Sequence, residues 1–322
     1  MSCRPILTKN RASYEHLWLS LDYVEITFDG GSLRFSDSHR LLKKRVDTLF
    51  TKEPTTILWM DQFKPNEIMF DIGANVGMYS VYAGKIAQAR VFAFEPESQN
   101  YSELNRNIFL NGLNGRVTAY NLAVSDKFEI STLFLSHFCP GFAHHDFGEN
   151  RWSEDMQVGD HVLRRDDRLE QGSTSIVLDE VIAANQFPQP NHIKVDVDGF
   201  EWKVVEGARK TLSSPELKTV LIETDNKIPE SVAIMDIMSS LGWKYSFDQM
   251  RLNQHEAMSE QRVRDRIANG IGGQNIIYFK DEAYFELFKH YADTFVAPNP
   301  HTKPKYEQEQ EDRAALADRT GS

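Results

Sequence analysis

NEIMFDIGANVGMYSVYAGKIAQARVFAFEPE, residues 66–97, decides how this chain is read. IMFDIG is an apolar run that carries Asp71 and Gly73 at its end. The turn Asp71-Ile-Gly73-Ala-Asn75-Val-Gly77 follows. Val76, Tyr79, Ser80 and Ala83 then share one helical face, and RVFAFEP is a second apolar run leading into Glu95-Pro96-Glu97. Strand, glycine turn, helix and acid-capped strand make the nucleotide half of an α/β domain. The glycines lack the Gly-x-Gly-x-x-Gly spacing of a dinucleotide turn. Asp-x-Gly-x-Asn-x-Gly directs the reading away from a pyrophosphate and toward S-adenosylmethionine. That ligand has a zwitterionic methionine end, a ribose diol and an adenine, but no phosphate.

Each residue of the turn has an expected part. Gly73 and Gly77 let the backbone approach the ligand without side chains in the way. Asn75 tolerates left-handed backbone angles. The helix start after Gly77 offers free N–H groups to a carboxylate. Asp71 is expected to meet the ammonium group, directly or through water. Glu95, 24 residues further on at the tip of the second strand, is expected to accept both ribose hydroxyls.

The strand–helix alternation continues outward. Tyr101, Leu104 and Ile108 line a helix that Asn111-Gly112 stops, and RVTAYNLAVS is a third strand. Residues 126–174 break the alternation, with EISTLFLS the clearest strand and HFCPGFAHHDFGENRWSEDM a loop. LDEVIAANQF reads as a helix, HIKVDVDG as a strand, GFEWKVVEGARKTL as one helix and KTVLIETD as a strand. A helix (ESVAIMDIMSSLG), a strand (WKYSF), a polar helical piece (SEQRVRDRIANG), a last strand (NIIYFK) and a closing helix (EAYFELFKHYADTF) complete it. Upstream, VEITF and SLRFS flank Asp29-Gly30-Gly31 as a hairpin, followed by the short helices HRLLKKRVDTLF and PTTILWMDQF. The expected organisation is an accessory segment over 1–65, a ligand-binding domain over 66–296 with an insertion near 126–174, and a disordered tail over 297–322.

Composition bounds the function. The chain has 322 residues, 41% of them hydrophobic, and a net charge of −11, which advertises neither a nucleic-acid surface nor a membrane surface. No apolar run reaches the ~18–20 residues of a membrane span. The two cysteines, Cys3 and Cys139, form no metal or disulfide pattern and read as free thiols of a cytoplasmic protein.

The second informative stretch is Ile193-Lys194-Val-Asp196-Val-Asp198-Gly199-Phe-Glu201. It sets Asp196 and Asp198 at the carboxyl end of a central strand, the edge where open α/β sheets bind ligands. Alternation aims Lys194, Asp196 and Asp198 to one side. Charges of both signs crowded there make either an ion-pair network or an active site. Glu201 suits a helix N-terminus, and Glu223 ends the next strand on the same edge.

Together DIGANVGMYS, FAFEPE, HIKVDVDGFEWKVVEGARKTL and VLIE, with the lead-in KEPTTILWMDQFKPNEIMFDIGANVG, resemble the FkbM-type class I methyltransferases over roughly residues 45–280. The resemblance implies a Rossmann-like, seven-stranded mixed sheet of order 3-2-1-4-5-7-6 with helices on both faces. It implies S-adenosylmethionine as donor and O-methylation of a hydroxyl on a sugar, glycan or other small molecule. Asp71, Gly73, Asn75, Gly77 and Glu95 carry over as cofactor residues. Ala123 and Val124 lie along the adenine in that reading, and Asp196 faces the methionine end or the acceptor. Asp198 stands where the family usually has glutamate.

Methyl transfer to a neutral hydroxyl needs alignment and a proton acceptor. Asp196 and a histidine of the pair His144-His145 are the candidates, with Lys194 beside Asp196. A divalent ion held by His-His-Asp with Asp196 or Asp198 is an alternative way to acidify the hydroxyl. Phe138, Phe142, Phe147 and Trp152 punctuate the same loop, as a lid or as anchors. Three other readings compete: a nicotinamide-dependent oxidoreductase, a nucleic-acid methyltransferase or binding module, and a cofactor-binding scaffold without turnover.

Overall fold

The computed structural model describes residues 6–14, 19–151, 156–158, 161–163, 169–224, 229–252 and 274–294. Trp152, the segment SEQRVRDRIANG and the tail from 297 lie outside these residues. The chain opens with a three-stranded antiparallel sheet of order β1-β2-β3: β1 (Ile6–Tyr14), β2 (Leu19–Phe28) and β3 (Gly31–Ser36). The hairpin turns at Asp29-Gly30, where Phe28 pairs with Gly31. The sequence reading omitted β1, whose residues ILTKNRASY carry no apolar alternation. Helix α1 (Arg40–Asp47) is capped by the His39 ring, which accepts from the Leu41 N–H. Helix α2 (Pro54–Met60) starts on its proline and is buried at every position.

The main sheet is built from β4 (Ile68–Ile72), β5 (Arg90–Phe94) and β6 (Val117–Tyr120), joined by α3 (Met78–Lys85) and α4 (Ser98–Leu110). After β6 the chain leaves this sheet. β7 (Ala123–Val124), β8 (Glu129–Leu135) and β9 (Asp146–Phe147) belong to a second sheet of order β7-β12-β8-β9, with β10 (Met156–Val158) and β11 (His161–Leu163) as a separate hairpin before β12 (Leu169–Ile176). Regular alternation breaks here, as the sequence pattern predicts. Helix α5 (Leu178–Ala183) returns to the main sheet at β13 (His192–Val195).

GFEWKVVEGARKTL is two helices rather than one: α6 (Glu201–Glu206) and α7 (Arg209–Ser213). The break falls where Gly207 meets the loop after β7. A Cβ there would lie 2.2 Å from the Ser125 carbonyl oxygen. The Asp179 carboxylate then caps α7 by accepting from the N–H groups of Lys210 and Thr211, both at 2.8 Å. β14 (Thr219–Thr224), α8 (Pro229–Ser240), α9 (Phe247–Arg251), β15 (Gln274–Phe279) and α10 (Ala283–Thr294) complete the described chain.

The main sheet has six strands among the described residues, in the order β15-β14-β13-β4-β5-β6. All pair in parallel except β15, which is antiparallel to β14. In the strand numbering of the resemblance this is 3-2-1-4-5-7. The seventh strand, expected at WKYSF, is reduced to one antiparallel bridge between Lys244 and Phe279. Ser246 ends it by accepting from the Asp248 N–H and turning the chain into α9.

Each face of the main sheet carries an apolar cluster. One contains Phe70, Phe94, Leu178, Val205, Ile234 and Met238. The other joins Val24, Leu33, Val46 and Trp59 of the N-terminal segment to Met69, Val81 and Phe288. The stretch from Val24 to Phe63 therefore shares the core of the main sheet. Two asparagines of α4 and its end reinforce the contact, and a third reaches the loop after β8. Asn107 and Asn111 accept from the N–H groups of Ser36 (2.7 Å) and Arg34 (2.9 Å), and Asn100 accepts from Gly141 (2.7 Å). No described helix is long and apolar enough to cross a membrane.

Candidate active site

A cavity of about 430 Å³ opens at the carboxyl ends of β4, β5, β13 and β14. Its floor is the turn between β4 and α3. The N–H groups of Gly73 and Ala74 both donate to the Phe94 carbonyl at 3.0 Å, which holds the turn against the tip of β5. Three residues of the turn are left-handed: Gly73 (φ 78), Asn75 (φ 51) and Gly77 (φ 80). The fold itself requires both glycines. A Cβ on Gly73 would lie 1.8 Å from the Asp196 carbonyl oxygen, and one on Gly77 would lie 2.3 Å from Leu104 Cδ1. Gly73 and Asn75 line the cavity and Gly77 does not.

Glu95 lines the cavity and is 5% exposed. Its two oxygens accept from the Asn75 N–H (2.8 Å) and the Glu97 N–H (2.9 Å). Burial pushes its carboxyl up to about 8, against the pull of these two donors. Glu97 serves the helix instead, capping α4 by accepting from Gln99 and Asn100. Beyond Glu95, Ala123 and Val124 of β7 form an apolar wall with Leu122 and Leu133.

Asp71 is not on the cavity wall. It is 1% exposed, accepts from the Ser80 hydroxyl and faces Lys194 Nζ at 3.8 Å. Lys194 is equally buried and donates to Asp196 Oδ2 at 2.8 Å. Burial alone lowers an ammonium's affinity for its proton; Asp196 and Asp71 outweigh it and hold Lys194 above its ordinary range. Lys194 is thus a fixed cation behind the site. Asp196 does reach the cavity. Burial would raise its carboxyl, but the Lys194 charge, their hydrogen bond and a hydrogen bond from Glu223 bring it down to about 2.

The edge beyond Asp196 is crowded with acid. Oxygens of Asp196, Asp198 and Glu223 lie within 4.8 Å of one another, the one set among the described residues whose spacing could hold a divalent cation. Burial first, then the charges of Asp196, Glu201 and Asp198, push Glu223 up to about 9, so it keeps its proton. Asp198 is raised by burial and by Asp196. Glu201 is pushed up to about 7 by burial, and its Oε1 accepts from the Val197 (2.9 Å) and Gly199 (3.1 Å) N–H groups at the start of α6.

Strand β13 ends at Val195, so simple alternation does not set the direction of Asp198, whose φ is 56. The loop after β8 reaches it instead. The His144 N–H donates to Asp198 Oδ2 at 2.7 Å, and His144 Nδ1 lies 3.4 Å from Oδ1. His145 also lines the cavity but does not meet Asp198; its Nδ1 accepts from the Ser136 N–H. Asp146 is fully buried against Arg151, which also donates to the carbonyls of Asp198 and Gly199. His-His-Asp is therefore split three ways and does not form one ligand set. Phe142 stacks on His137, Phe147 joins the cavity wall and Phe138 is exposed.

The fold adds residues that the sequence reading left out. Arg45, Lys52 and Glu53 of the N-terminal segment line the cavity opposite β13 and β14. Arg45 Nε donates to the Gly141 carbonyl at 2.7 Å, tying α1 to the loop. Glu53 accepts from the Tyr79 hydroxyl at 2.7 Å. The basic run in HRLLKKRV was the available signal, but nothing in it gives its distance from the strand tips.

Residues 71–253, more than half the chain, match the family model of the methyltransferase FkbM domain. The chain belongs to the FkbM methyltransferase family. It is 28% identical over 191 residues to the 31-O-demethyl-FK506 methyltransferase FkbM of Streptomyces tacrolimicus, covering 54% of this chain and 72% of that protein. It is 24% identical over 178 residues to the hexuronic acid methyltransferase AglP of Haloferax volcanii, covering 53% of this chain and 62% of that protein. The crystal structure of methyltransferase FkbM from Methylobacillus flagellatus aligns at a TM-score of 0.38 and 15% identity, covering 74% of this chain and 52% of that one. This FkbM-family chain thus spans about half the length of the Methylobacillus protein and less than two thirds of the Haloferax one. The FkbM match begins at Asp71, so it includes the glycine turn and both ligand edges but not Arg45, Lys52 or Glu53.

Proposed function

We propose that this protein is an S-adenosylmethionine-dependent methyltransferase that O-methylates a hydroxyl of a sugar, glycan or other small molecule. One observation carries the reading. A single cavity joins the Gly73–Asn75 turn, Glu95 and the Ala123–Val124 wall to the edge made by Asp196, Asp198 and His144. Its lining suits a zwitterionic, cationic nucleoside: five carboxylates against the three cations Arg45, Lys52 and Lys203, with an apolar wall of Leu122, Ala123, Val124 and Leu133. The names of the Streptomyces and Haloferax relatives support an oxygen-rich small-molecule acceptor.

Bound there, the cosubstrate supplies an electrophilic methyl group. The remaining work falls to the chain. Glu95 keeps lone pairs beyond those used by Asn75 and Glu97 for the ribose hydroxyls. Ala123, Val124 and Leu133 exclude water from the base. Asp196, ionised and held by Lys194, is a weak proton acceptor, so it orients rather than deprotonates. Lys194 is a positioning residue for Asp196. His144, held at Asp198 by its backbone N–H and ring, takes the proton of the acceptor hydroxyl. Residues 1–65 complete this site, with 66–296 as the catalytic domain.

Calorimetry with S-adenosylhomocysteine and with NAD tests the cosubstrate. Binding of the first and not the second is expected, and Glu95→Ala is expected to weaken it at least ~10-fold. Labelled-methyl transfer to a panel of uronic acids and polyhydroxylated acceptors then tests the reaction. His144→Ala is expected to cut turnover ~100-fold with unchanged S-adenosylhomocysteine affinity. A wild-type chain indifferent to S-adenosylhomocysteine overturns the proposal.

A further inference from the structure

We infer that Glu53, from the N-terminal segment, is the carboxylate that receives the ammonium group at the amino-acid end of the cosubstrate. The inference rests on the proposed use of S-adenosylmethionine. Local spacing points to Asp71 for this part, but Asp71 lies behind the wall, engaged with Ser80 and Lys194. An ammonium leaving water needs a carboxylate that it can touch. Among the described residues five carboxylates line the cavity: Glu53, Glu95, Asp196, Asp198 and Glu223.

Four of them are otherwise engaged. Glu95 sits beside the apolar wall at the nucleoside end, where its free lone pairs are assigned to the ribose hydroxyls. Asp196 is neutralised by Lys194 at 2.8 Å. Asp198 holds His144, and Glu223 keeps its proton against Asp196. Glu53 is 14% exposed at its side chain and placed by its neighbours. Its Oε2 accepts from the hydroxyl of Tyr79, which stands in the first turn of α3, directly after the glycine turn. Thr56 Oγ1 approaches the same oxygen at 3.4 Å. Glu53 thus sits beside the start of α3, next to the glycine turn.

The present partner of Glu53 has the same chemistry as the proposed one. Lys52 Nζ lies 3.0 Å from Glu53 Oε1, and its side chain is 58% exposed. An incoming ammonium exchanges like for like with this solvated lysine, so little is lost in displacing it. Lys52 also lines the cavity, and once released it can meet the carboxylate of the same amino-acid group. Adjacent Lys52 and Glu53 form a charge pair complementary to a zwitterion. A consequence is that the cosubstrate binds across the joint between the N-terminal segment and the main sheet.

The test compares two ligands by calorimetry on the full chain: S-adenosylhomocysteine, and 5′-methylthioadenosine, which lacks the amino-acid end. Glu53→Gln keeps the shape and an acceptor for Tyr79 but removes the charge. The expected result is a ~10–100-fold loss of affinity for S-adenosylhomocysteine, with 5′-methylthioadenosine bound within about twofold of wild type. Retained binding of the second ligand shows at the same time that the variant is folded. Equal loss for both ligands, or no loss for either, overturns the assignment while leaving the cosubstrate reading standing. A wild-type chain that binds neither ligand overturns both.

Discussion

Replacing Glu223 by glutamine should make the protein more stable at alkaline pH and leave it unchanged in mild acid. Glu223 ends β14 within 4.8 Å of both Asp196 and Asp198. Burial and the neighbouring negative charges push its carboxyl up to about 9, from 4.5 in an unexceptional setting. The unfolded chain therefore releases this proton near pH 4.5, and the folded chain holds it to about 9. A raised folded value means that the stabilisation is fully present below 4.5 and is lost as the pH rises through 9. At about 1.36 kcal/mol per pH unit, the loss by pH 7.5 has a ceiling of ~4 kcal/mol. Glu223 is only partly buried, and solvent screening reduces this to about 1–2 kcal/mol. Glutamine keeps the size and an N–H donor toward Asp196 without a proton to lose. Scanning calorimetry from pH 5 to 9 should show the Glu223→Gln variant melting about 2–6 °C above wild type near pH 8, with the gap closing at pH 5. Glu95 and Glu201 titrate in the same direction in both proteins and drop out of the difference. A gap that does not change with pH refutes the reasoning. So does a wild type more stable than the variant at pH 8; loss of that advantage on adding a chelator would mean that the three carboxylates hold a divalent cation.

Two further substitutions probe the frame of the site. Gly73→Ala must push its new methyl out of the Asp196 carbonyl, 1.8 Å away, at a φ of 78; urea unfolding should show a loss of about 2–4 kcal/mol. Gly112→Ala, with nothing within 4 Å of its Cβ and φ 66, is the control and should lose only about 1 kcal/mol. Lys194→Met strands Asp71 and Asp196 without their shared cation and should cost about 3–5 kcal/mol at pH 8. The cost should be smaller in mild acid, where Asp71, already raised by burial, takes up a proton more readily; equal destabilisation at both pH values would show that lost packing dominates.

Elements that depend on near neighbours were legible in the chain alone. The turn from Asp71 to Gly77, the acid at Glu95 and the DVDG edge follow from apolar runs and turn chemistry within about thirty residues; the order of the first five strands of the main sheet is what the family resemblance implies. Long-range packing settled what meets across the fold. Gly73 is a glycine because the Asp196 backbone crosses it. Asp71 and Lys194 are buried behind the cavity wall, where Lys194 lies 3.8 Å from Asp71 and 2.8 Å from Asp196. His144 found Asp198 across 54 residues of sequence, and His145 did not. Glu53 came to the cavity because the N-terminal strands and helices bury their apolar faces on the main sheet, a contact with no signature in local periodicity. Burial and charge pairing are properties of a neighbourhood in space, and linear spacing does not encode them.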